Sequence, residues 1–90
     1  MGYELHYRVY VLQNSFGKRY IGLSADPLLR LEQHNRGVSR WTRGKGPWTM
    51  LWQSQATDLS QARKLENQLK LQHGGTGFFR ITGLPLPSGS

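Results

Sequence analysis

Ninety residues, with twelve Lys or Arg against five Asp or Glu, make one small domain of formal charge +7; that balance points to a polyanionic partner, usually nucleic acid. No cysteine is present, which excludes a disulfide framework and a cysteine-bound metal, and three scattered histidines do not make a zinc cluster. No run of about 18 apolar residues exists to form a membrane-spanning helix. The start, MGYELHYRVY, has neither the pattern of a signal peptide nor a Ser or Thr at position 6 for myristoylation, so a reducing, cytoplasmic setting is expected.

The predicted elements begin with a β-hairpin. HYRVYVLQ is rich in strand formers, NSFGK holds the turn residues, and RYIGLS is the returning strand. Asp26-Pro27 then predicts a helix start, with Asp26 as N-cap and Pro27 at the first helical position. This helix runs to Arg36 and stops at Gly37, with Leu28 and Leu31 on its apolar side. RGVSRWTRGKGP reads as a cationic loop and WTMLWQS as a third strand. A second helix opens at Asp58 or Thr57, with Gln61 placed as in a capping box, and ends near His73 at Gly74-Gly75. FFRIT is a short strand or a packed tail, and its preceding glycines lack the Gly-Lys-Ser/Thr of a P-loop. The expected fold is α/β (α+β): a small three-stranded, mainly antiparallel sheet flanked by helices in the order ββαβα. One domain covers residues 1–83, and 84–90 form a flexible tail.

The charge is unevenly spread. From Gln33 to Thr57 there is no acidic residue, whereas Arg36, Arg40, Arg43 and Lys45 are interleaved with Trp41, Trp48 and Trp52. Cations interleaved with aromatics suit phosphate contact and base stacking. Trp52 lies in an apolar run and reads as core; Trp41, between arginines, is the better stacking candidate.

Two helices carry polar residues on faces that should bury or converge. On a wheel of about 100° per residue, Leu59, Ala62, Leu65 and Leu69 share one arc of the second helix, and Glu66 falls inside it. A carboxylate there needs an ion pair with an arginine, or a metal, because burying it alone costs several kcal/mol. In the first helix Arg30 and His34 are spaced i, i+4 on one face. If that face turns toward the hairpin, Tyr10, Tyr20, Arg30, His34 and Glu66 converge. A proton acceptor, a cation and a metal carboxylate are the parts needed for phosphodiester hydrolysis.

These residues resemble the GIY-YIG nuclease superfamily, whose motifs are Gly-Ile-Tyr and Tyr-Ile-Gly. The second motif is intact as Tyr20-Ile21-Gly22; the first reads Arg8-Val9-Tyr10, which keeps the tyrosine and loses the glycine. The family arginine is matched by Arg30, the histidine one turn later by His34, and the helical glutamate by Glu66 in ARKLENQLK. WTRGKGPWTML is similar to the loop and third strand of small stand-alone bacterial members and of the eukaryotic structure-specific nuclease subunit. The likeness spans residues 7 to 73.

The resemblance implies a metal-dependent endonuclease acting on single-stranded, flapped or branched DNA, with RNA also open as substrate. It implies one Mg²⁺ or Mn²⁺ on Glu66 and a phosphate-stabilising Arg30. Tyr10 would take a proton from the attacking water and His34 would relay it, since a free phenol titrates near about pH 10. Tyr20 would position water or phosphate. Lys18, Arg40, Trp41, Arg43 and Lys45 would hold substrate. The alternatives from other classes are a non-catalytic nucleic-acid-binding module of the same fold and a structural protein of a ribonucleoprotein.

Overall fold

The computed structural model describes residues 5–73 and 75–86. The readings placed on the start of the chain, on Gly74 and on the last part of the tail, residues 87–90, lie outside the described residues. Six elements follow in order: β1 (Arg8–Asn14), β2 (Arg19–Ser24), α1 (Pro27–Asn35), β3 (Trp48–Gln53), α2 (Leu59–Leu71) and α3 (Thr76–Thr82).

The strands form one antiparallel sheet in the order β2-β1-β3. As the middle strand, β1 is covered on both faces, which is why VYVL is a continuous apolar run rather than an alternating one. Its side chains still alternate. Val9 and Val11 join Ala62, Leu69 and Phe78 in one core; Tyr10 and Leu12 join Trp48 in another, with Leu31 packed against it. The first core lies under α2 and α3, the second under α1. Trp52 packs against the first core as its apolar setting predicts.

The caps form as the sequence leads one to expect. Asp26 accepts from Leu29 N at 3.2 Å with Pro27 opening α1, and Asp58 accepts from Gln61 N at 2.8 Å at the start of α2. The chain leaves α1 through Gly37, whose φ of +80° suits glycine. Asn35 at the end of α1 then clasps the start of β3: its Nδ2 donates to Trp48 O at 3.0 Å and its Oδ1 accepts from Trp48 N at 2.6 Å.

Three expectations are corrected. FFRIT is not a strand: it packs, as the other expectation had it, but as part of the helix α3, whose Phe78 is buried in the first core, and Leu84 packs there too. Leu28 is 62% exposed, because the inward stripe of α1 is set by Pro27, Leu31 and His34 and Leu28 stands to one side of it. Leu59 is also exposed: it is the first helical residue, and the packed stretch of α2 begins one turn later at Ala62.

Candidate active site

Four of the candidate residues meet on the α1 face of the sheet. Because side chains of a strand alternate, Tyr10 on β1 and Tyr20 on β2 fall on the same face, and their ring centres are 6.2 Å apart. His34 comes down from α1 onto both, with ring centres 6.0 Å from Tyr10 and 4.6 Å from Tyr20. The Tyr10 hydroxyl lies 3.0 Å from His34 Nε2. On the other side of the imidazole, Nδ1 lies 2.7 Å from the Thr42 hydroxyl.

This chain of three groups is enclosed. Tyr10, His34 and Thr42 are each 1% exposed, whereas Tyr20 and Arg30 are half-buried and face outward. Arg30 Nη1 donates to Gln33 Oε1 at 2.6 Å, one turn along α1, and this fixes the guanidinium beside the tyrosine.

Burial dominates the electrostatics. It pushes the Tyr10 phenol above its ordinary value; the Arg30 guanidinium beside it pulls the other way, and Tyr20 and Glu66 add to the rise. Burial also pushes His34 below its ordinary value, with Arg30 adding to the fall. At neutral pH the pair is a protonated phenol beside a neutral imidazole.

Glu66 enters from α2. It lies on the buried stripe as its wheel position predicts, 8% exposed between Ala62 and Leu69. Its ion-pair partner is a lysine rather than an arginine: Lys70 Nζ, one turn on, is 3.2 Å from Oε2. The carboxylate is close enough to Tyr10 to raise the phenol. No cluster of three or more metal-ligating side chains exists among the described residues. An ion held there would have one protein carboxylate and would complete its shell with water and phosphate oxygens, the habit of Mg²⁺.

The cationic candidates occupy the rim. Lys18 and Lys45 are brought together by Asn14, a buried residue that reads in the sequence only as a turn former. Its Oδ1 accepts from Phe16 N and Lys18 N at 3.0 and 2.9 Å, and its Nδ2 donates to Lys45 O at 3.0 Å. Trp41 is 76% exposed and Arg40 is exposed. Arg43 differs from them, since its Nε donates to Gly37 O at 2.8 Å and braces the loop. Trp48 is buried, with Nε1 donating to Thr42 O at 3.1 Å. Thr42 and Gln33 are the site neighbours that the sequence does not announce; one sits in an aperiodic loop, the other in a short polar helix segment.

The family model of the GIY-YIG catalytic domain matches residues 6–77. Among curated relatives, the UPF0213 protein of Aeromonas hydrophila is 44% identical over 68 residues, which is 74% of this chain and 50% of that protein. The UPF0213 protein of Aeromonas salmonicida is 42% identical over 65 residues, 71% of this chain and 48% of its own. That of Yersinia pestis is 37% identical over 65 residues, 71% and 68% respectively. The chain spans about half the length of the two Aeromonas relatives. No solved structure matches it.

Proposed function

Because the chain belongs to the GIY-YIG catalytic domain family, we propose that it is a divalent-metal-dependent endonuclease that hydrolyses phosphodiester bonds in single-stranded, flapped or branched DNA. The observation that carries this reading is the buried contact of the Tyr10 hydroxyl with His34 Nε2 at 3.0 Å, backed by Thr42 at 2.7 Å.

The raised phenol and the lowered imidazole set the resting state, a protonated phenol beside a neutral imidazole, and hold the proton on Tyr10 until attack begins. Tyr10 is not a phenolate at neutral pH, so it accepts the proton of the attacking water only as its own passes to His34 Nε2. For that, Nε2 must be the bare nitrogen, and Nδ1–H must donate to the Thr42 hydroxyl. Thr42 is in this way the positioning residue for the tautomer. Tyr20 and Arg30 are the half-exposed members, so they meet the phosphate first. Arg30, aimed by Gln33, stabilises the charge that develops on the phosphate.

Glu66 would hold the one ion, Mg²⁺ or Mn²⁺. When bound, it supplies Lewis-acid stabilisation of phosphate oxygens. Lys18, Arg40 and Lys45 supply the surrounding positive surface.

The Glu66–Lys70 pair at 3.2 Å favours a second reading, a non-catalytic nucleic-acid-binding module in which Glu66 is structural. One experiment separates them: labelled single-stranded, duplex and flap DNA and RNA, incubated with Mg²⁺, Mn²⁺ or EDTA. Metal-dependent cutting that is lost in His34→Ala supports the nuclease. Binding without cutting of any substrate under any condition supports the module.

A further inference from the structure

The FFRIT run takes no part in the site described above, yet its two aromatic rings hold a cation beside it. Arg19 Cζ lies 4.7 Å from the centre of the Phe78 ring and 5.1 Å from that of Phe79. The rings meet edge to face, 5.3 Å apart, and Phe78 is anchored in the core. A guanidinium seated on aromatic rings keeps its edge N–H groups available for a planar or tetrahedral anion. Among the described residues Arg19 has no acidic partner, and its side-chain hydrogen bond, Nε to Gln13 Oε1, is long at 3.5 Å.

Arg19 and Phe78 line a groove of about 740 Å³ that wraps the free edge of β2. Tyr20 lies in it too, so the groove leads directly out of the candidate active site. Lys18 and Lys45 contribute further positive charge, Lys70 in the lining is paired with Glu66, Trp41 adds an exposed indole, and no Asp or Glu is among the lining residues. A volume of that order suits a nucleotide-sized ligand and one strand with its bases free, not a duplex.

The geometry points to a subsite for the nucleotide next to the cleaved phosphate: an unpaired polynucleotide strand leaves Tyr20, sets a phosphate on Arg19 and stacks a base on Trp41. The subsite rests on the nuclease reading for its place beside the cleaved bond, and it gives that reading a substrate class. It also gives α3 a purpose, which is to hold Arg19 ready. Arginine on a rigid ring is ordered before binding, so little side-chain entropy is lost when the phosphate arrives.

The test is fluorescence anisotropy with labelled oligothymidylate and oligouridylate in EDTA, titrated with salt, so that cleavage plays no part. Arg19→Ala is expected to weaken binding by about 10-fold, as for loss of a charged hydrogen bond. The salt slope should fall by about 0.7, one single-strand phosphate contact. Arg19→Lys should restore the slope but not the full affinity, and Phe79→Leu should weaken binding with the slope unchanged. A loss in both arms means that phosphate and base are what the subsite reads; a loss in one arm also assigns a role to the sugar or the thymine methyl, and either result supports the subsite. Parental affinity and slope for both strands in a folded Arg19→Ala protein overturn it. The two readings fail separately. A protein that cuts DNA but whose Arg19→Ala variant binds like the parent loses only the subsite. One that never cuts yet shows the Arg19 loss retains a strand-binding groove and loses the nuclease.

Discussion

Tyr10 and Gly22 stand opposite each other on β1 and β2, and the phenol of the first lies over the bare Cα of the second. A methyl group on Gly22 would come within 2.5 Å of both Cζ and Oη of Tyr10. The ring cannot easily retreat, because it is buried and its oxygen is bonded to His34. This glycine serves no turn. Its bare Cα is the space that lets Tyr10 reach the imidazole.

Gly22→Ala is therefore expected to act on stability and chemistry together. Overpacking of this kind costs about 1–3 kcal/mol, and in a domain of this size each kcal/mol lowers Tm by roughly 4–8 °C. The displaced ring also loses its contact with His34, so cleavage should fall by about 100-fold, the scale of losing general base assistance. Thermal unfolding and single-turnover cleavage measure the two effects. A variant with parental Tm and rate would mean that the ring has room to move.

The same pair marks how far the sequence could be read. The Tyr-Ile-Gly motif, the Asp26 and Asp58 caps and the wheel position of Glu66 are local signals: each is set by neighbours in the chain, and each element forms where these signals put it. That Gly22 must be bare is not local, because the atom it avoids belongs to the other strand. Thr42 is similar. It lies in a loop with no periodicity, and its partner His34 is supplied by the fold once Asn35 has fastened the end of α1 to β3. The helical state of FFRIT was also hidden, since a short aromatic run with two β-branched residues suits a strand as well as a packed helix. Its contacts with Val9, Val11 and Leu69 in the core decide the matter.

The Thr42 hydroxyl gives a prediction about pH. Burial lowers His34, so the acid limb of kcat/KM should lie below the ordinary histidine range: as pH falls through it, the imidazole takes up a proton and can no longer accept one from Tyr10. Thr42→Val keeps the shape but leaves Nδ1 without its partner, so the bare nitrogen is no longer fixed as Nε2. The rate should drop by about 10-fold, with about 1–3 kcal/mol of stability lost. Thr42→Ser should restore both rate and profile. An unaltered profile and rate in the valine variant would remove Thr42 from the relay.

His34 also couples folding to pH. Its folded value lies below its unfolded one, so the unfolded chain binds the proton first. Its stability contribution is full above the ordinary histidine range and is lost as pH falls through the lowered folded value. Urea midpoints measured from about pH 8 to 5 should decline on the acid side. His34→Gln, which cannot titrate there, should flatten that decline. An equally steep decline in the variant would assign it to other groups.

Glu66→Gln separates metal binding from folding. The ion pair to Lys70 involves a lysine that is half-exposed, so its loss should change stability by no more than about 1 kcal/mol. Cleavage should be abolished and Mn²⁺ binding, followed by calorimetry, should disappear, while oligonucleotide affinity in EDTA stays parental. Retained Mn²⁺ binding would move the ion to another residue.

Arg40 and Arg43 look equivalent in the sequence but not in the fold. Arg43 Nε is committed to Gly37 O at 2.8 Å, across the loop that carries Trp41 and Thr42. Arg40 is exposed and has no ion pair among the described residues. Arg40→Ala should leave Tm unchanged and lower the salt slope of single-strand binding by about 0.7. Arg43→Ala should cost about 0.5–1.5 kcal/mol, the net worth of its bond, and shift Tm whether or not nucleic acid is present. Trp41→Ala should weaken binding by about 1–3 kcal/mol if a base stacks there, with the slope almost unchanged because stacking releases few ions. Salt-titrated binding and thermal unfolding of the three variants give six readings. A slope loss in Arg43→Ala as large as that in Arg40→Ala, with no change in Tm, would show that the Gly37 bond does not commit Arg43 and that both arginines face the substrate.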